Sequence, residues 1–113
     1  MSVVMRQNNT RPFLDAVLQD LNGAVDLTGE VIRFVVRSSD NDVVIDQSST
    51  GDQLIITGTT TGEVRYKWDA PDTDTPGNFL GEYETYPQGS SSEYLTYPNR
   101  GHVEILITPE LST

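Results

Sequence analysis

The chain has 113 residues, of which 35% are hydrophobic, with no cysteine and a formal charge of −10 from seventeen acidic and seven basic side chains. That length supports one hydrophobic core, so a single domain over 1–113 is expected, ordered from about 10 to about 108 with short terminal extensions. The acidic balance argues against a nucleic-acid or anionic-membrane partner. The missing cysteines remove disulfides, thiolates and thiol-bound metals.

Nothing near the N-terminus has the apolar run of a signal peptide, and no stretch approaches the ~20 apolar residues that span a bilayer. Five Tyr, three Phe and one Trp give the chain large side chains to bury, unlike a disordered segment.

Phe13, Leu14, Val17, Leu18 and Leu21 recur at helical spacing, with Gly23 as a C-terminal stop. The same residues allow a strand with Leu14, Ala16 and Leu18 inward. Asn22-Gly23 would then be the hairpin turn, and Val25 to Leu27 would pair back. A strand is expected here because everything downstream reads as β.

From Val31 to Arg37, Ile32, Phe34 and Val36 share one parity, and Arg33 and Arg37 the other. Val43 to Asp46 and Leu54 to Thr57 are short β-branched runs. Gly62 to Trp68 alternates strictly, with Val64, Tyr66 and Trp68 opposite Glu63, Arg65 and Lys67. Phe79 to Tyr86, Glu93 to Tyr97 and Val103 to Ile107 complete the set. Breakers such as Ser38 to Asp42, Pro71 to Asn78 and Pro98 to Gly101 recur about every 8–12 residues, the spacing of a sandwich or barrel.

The residues that could carry chemistry lack the company chemistry needs. His102 is the single histidine, sits on the polar parity of the last strand and has no nucleophile motif to serve. Glu82 and Glu84 share one strand face, as solvated carboxylates do, rather than flanking a cleft. Asp40, Asp42, Asp72 and Asp74 fall in loops without calcium-loop spacing, where aspartate caps turns. No phosphate loop or zinc set is present, so no cofactor is expected. Tyr83 and Trp68 fit a core, whereas Tyr86, Tyr94 and Tyr97 near turns are candidates for a surface that stacks on a sugar.

Several stretches taken in order resemble a known family. They are Arg11-Pro12-Phe13-Leu14, Leu18 through Gly29, Val31 through Val36, Thr61 through Trp68, Asp74-Thr75-Pro76-Gly77-Asn78-Phe79, and Tyr97 through Ile105. Their order and spacing resemble the N-terminal immunoglobulin-like domain of bacteriophage baseplate upper proteins and related tail structural proteins, over roughly residues 10 to 108. The resemblance implies an all-β, immunoglobulin-like antiparallel β-sandwich, and the residue pattern agrees, with Val64, Tyr66, Trp68, Phe79, Tyr83, Ile105 and Ile107 expected to meet in one core between two sheets.

It also implies a non-enzymatic virion component, made in the host cytoplasm without a signal peptide. Such a component docks to other tail or baseplate proteins, self-association included, and positions a fibre or receptor-binding element. The alternative reading is a carbohydrate-binding β-sandwich that uses Tyr86, Tyr94 and Tyr97.

Overall fold

The computed structural model describes residues 2–20, 23–90, 95–97 and 103–109, with the side chains of 95–97 left aside. Eleven strands are described: β1 (Ser2–Arg6), β2 (Leu14–Val17), β3 (Gln19–Asp20), β4 (Gly23–Ala24), β5 (Glu30–Ser38), β6 (Val43–Ser48), β7 (Leu54–Gly58), β8 (Glu63–Tyr66), β9 (Gly77–Pro87), β10 (Leu95–Tyr97) and β11 (Val103–Thr108). A 3-10 turn at Ala70–Thr73 joins β8 to β9.

One sheet runs β1-β11-β9-β5-β6, with β10 also on β9, and the other runs β2-β8-β7. All these pairings are antiparallel except β1 with β11, which is parallel. In immunoglobulin lettering the first sheet contains G-F-C-C′ and the second B-E-D, with β9 as F and β5 as C. The protein is therefore an immunoglobulin-like β-sandwich.

The alternation read from the sequence is what buries the core. Val64, Tyr66, Trp68, Phe79, Tyr83, Ile105 and Ile107 are all buried, joined by Ile32, Phe34 and Val36 from β5. The Phe13 to Leu21 segment resolves as a strand, since Leu14 pairs with Tyr66 and Val17 with Glu63. Leu14 and Leu18 point inward and Ala16 is half-buried.

The return hairpin also forms, but with Gly23 already paired to Asp20 in a short β3–β4 ribbon. Leu21 and Asn22 lie outside the described residues. One boundary shifts. Residues 2–6, expected as a loose extension, form β1 along β11 and bury Met5. Three apolar residues in a row hid the Val3/Met5 alternation.

Antibody-type sandwiches pin their two sheets with a disulfide packed on a tryptophan. Here four aromatic rings in a row occupy the interior instead. Trp68 meets Tyr66 edge-on at 5.2 Å, Tyr66 tilts against Phe34 at 5.0 Å, and Phe34 stacks on Tyr83 at 4.6 Å. Gly81 makes room for this. A Cβ there would sit 3.1 Å from the Phe34 ring and 3.4 Å from Val36. Gly62 is a second enforced glycine: its φ is +71° and a Cβ would lie 2.5 Å from the Leu18 carbonyl oxygen.

Candidate functional site

Of the carboxylates considered for chemistry, Glu84, Asp72 and Asp74 make structural contacts. On β9, Glu84 lies 3.6 Å from the Arg33 guanidinium, which itself forks onto Asp46 with two 2.7 Å bonds. That fork raises the Arg33 pKa and lowers that of Asp46, in each case through the hydrogen bond first. Glu82 and Glu84 stay half-buried on the outer face of the sheet, one beside Val35 and the other beside Arg33.

Asp72 takes a different role from its neighbours. Its Oδ2 accepts from the Tyr66 hydroxyl at 2.7 Å, the Asp69 amide at 2.9 Å and the Gln53 amide at 3.0 Å. With Asp69 as the cap, these bonds close a capping box over the 3-10 turn. Burial, and then the bond to Asp72, pushes the Tyr66 phenol well above its usual pKa of about 10. The sequence signal was legible in principle as Asp69-x-x-Asp72 around Pro71.

Asp74 accepts from the Thr75 hydroxyl, and its carbonyl accepts from Gln7. Asp40 and Asp42 are exposed in the Ser38 to Asp42 turn, where the Asp42 amide donates to the Ser38 hydroxyl. Among the described residues no three His, Cys, Asp or Glu side chains gather as metal ligands.

The tyrosine set is only partly described. Tyr86 is half-buried on the outer face of β9, paired across to Val31. Tyr97 is described for its backbone alone, opposite Tyr83, and Tyr94 and His102 lie outside the described residues. Tyr83 and Trp68 belong to the core.

What sequence reasoning missed is where the apolar surface goes. Seven large hydrophobic residues are exposed among those described, and five of them lie on the outer face of the larger sheet: Val4, Leu80, Leu106, Val43 and Val44. Val4, the most open, is 65% exposed. Two shallow depressions flank Leu80. One is lined by Val4, Asn78, Glu104 and Leu106, and the other by Arg37, Asn41 and Glu82. The signal lay in the strands themselves, since Leu80 and Leu106 occupy the parity that alternation assigns to water.

Of the remaining two, Phe13 precedes and Val17 ends the open edge strand β2 of the smaller sheet. Between them Asp15 accepts from Arg65 at 2.6 Å, while the Arg65 guanidinium lies 5.6 Å from the Phe13 ring centre. The bond from Arg65 holds the Asp15 carboxyl below its ordinary pKa.

No family model matches the chain, and no curated protein matches its sequence. Among solved structures the chain is similar to the periplasmic chaperone SfaE, with a TM-score of 0.48 and 12% identity over 96% of this chain. The chain spans 55% of the length of that chaperone. At this score the likeness carries no argument about activity or partners, and the strand order identifies the sandwich without it.

Proposed function

We propose that the chain is a non-enzymatic interaction module of a phage tail or baseplate. It docks to other virion proteins and helps position a fibre or receptor-binding element. The observation that supports this reading is the distribution of exposed apolar side chains. They gather on one flat sheet face and beside one open sheet edge, rather than around a concave pocket with convergent polar groups. Flat faces and open edges suit protein partners, and a rigid sandwich holds them at fixed angles.

The ordered resemblance along residues 10 to 108 supplies the tail assignment, and the charge of −10 suits partners with basic rims. In this reading the protein resides in the virion.

The test is the composition of purified particles. Mass spectrometry of virions from the source phage or induced prophage is expected to find the chain alongside tail and baseplate proteins. Co-expression with the products of adjacent genes is expected to yield a complex. Absence from particles, together with a gene neighbourhood of metabolic enzymes, would remove the reading.

A further inference from the structure

We infer that the outer face of the larger, six-stranded sheet is a self-association surface, occupied by a second copy of this chain about a two-fold axis running along β9. The inference concerns the protein alone and stands apart from the tail reading. Its centre is Leu80, on the middle strand of the sheet and 45% exposed. Leu80 pairs with Glu104 of β11 on one side and Arg37 of β5 on the other. Three adjacent strands therefore present an acid, an apolar residue and a base in a single row.

Such a row is complementary to itself. An in-plane two-fold axis along β9 brings Leu80 onto Leu80 and sets each Glu104 against the Arg37 of the other copy, twice. Glu104 accepts from the Ser2 hydroxyl and Arg37 donates to the Asn41 carbonyl, so both side chains are held at this face. The same axis brings β1 of one copy over β6 of the other. Val4 and Leu106 then fall on the side of Val43 and Val44, giving the row an apolar flank in each direction.

The charge of the face permits a second copy to approach. Among strand residues, the face carries four of the seventeen acidic side chains (Asp46, Glu82, Glu84, Glu104) and three of the seven basic ones (Arg6, Arg33, Arg37). Its strand residues therefore nearly balance, at a net −1 against −10 for the whole chain. A nearly neutral face lets two copies of an acidic chain meet without opposing strong like charge.

The test is sedimentation equilibrium of the full chain from micromolar to millimolar concentration. A monomer–dimer equilibrium is expected. Leu80→Asp is expected to abolish it, and Arg37→Glu and Glu104→Arg are each expected to weaken it by roughly tenfold. The double variant Arg37→Glu/Glu104→Arg exchanges the partners and is expected to restore association.

All four variants change exposed side chains, and unchanged circular dichroism and melting would confirm that they fold. A chain monomeric throughout overturns the inference. So does a dimer indifferent to Leu80→Asp, or one that the double charge exchange fails to rescue. None of these results bears on whether the chain is found in virions.

Discussion

Tyr66 and Tyr83 enter the core from opposite sheets and both pack against Phe34, but their hydroxyls are finished differently. Tyr66 donates to Asp72, and its oxygen accepts from the Gln53 amide. Through Asp72 it grips the 3-10 turn that leads from the smaller sheet to the larger. Tyr83 is buried to 1% exposure, and its hydroxyl has no hydrogen-bond partner among the described residues. Of the two tyrosines that sandwich Phe34, one is fixed by directional bonds and the other by shape alone. A buried hydroxyl contributes stability only when it is paired, so two tyrosines in one core carry opposite expectations.

The harshest way to break the contrast is Asp72→Ala. It leaves the Tyr66 hydroxyl, the Gln53 amide and the Asp69 amide without their acceptor and opens the capping box. A loss of about 2–3 kcal/mol is expected in urea unfolding. Gly81→Ala attacks the middle of the row. Phe34 is fully buried between the two tyrosines and has nowhere to yield to a new methyl group. About 1–2 kcal/mol of destabilisation is expected from the shift in melting temperature.

Tyr66→Phe deletes a single bonded hydroxyl and is expected to cost about 1 kcal/mol by chemical denaturation. High pH should act on both tyrosines at once. Burial raises both phenols above their usual pKa, with the Asp72 bond adding to the effect at Tyr66. The unfolded chain releases these protons near pH 10 while the folded one retains them. Their stability is therefore complete below about pH 10 and declines above it, by roughly 1 kcal/mol per phenol at pH 11.

A titration of the urea midpoint between pH 8 and 11.5 should show that decline, and the double variant Tyr66→Phe/Tyr83→Phe should flatten it. The smallest effect is expected from Tyr83→Phe. Removing an unpaired hydroxyl should leave the melting temperature unchanged or slightly raised, and a clear fall would show that the contrast is false.

The parts legible in the sequence were those governed by local periodicity. Val64, Tyr66 and Trp68 announced their strand because every second residue is apolar, and Ile32, Phe34 and Val36 did the same. The Phe13 to Leu21 segment was ambiguous because its leucines satisfy both periods, and only pairing with β8 settles it.

The Tyr66–Asp72 bond joins residues six apart across the end of a strand and a turn, a separation no periodic pattern marks. Asp72 therefore read as one more turn aspartate. Val4, Leu80 and Leu106 come together only once β1, β11 and β9 are neighbours, and sheet order is set by long-range packing rather than by any single segment. Tyr86 shows the same limit from the other side. Its position near a turn suggested a binding surface, and the register sets it opposite Val31 on the sheet's outer face.

The parallel pairing of β1 with β11 has a mechanical consequence. Ser2 lies beside Glu104 and Arg6 beside Thr108, so the strands nearest the two termini run in the same direction along one edge. A pull that draws Ser2 backwards and Thr108 forwards slides the strands past each other and loads all five registered pairs together. Peeling β6 from β5 would instead break its bonds one after another. Single-molecule stretching through residues 2 and 108 is expected to need a higher force than unzipping at β6. An element set at that edge is suited to bearing tension along its length.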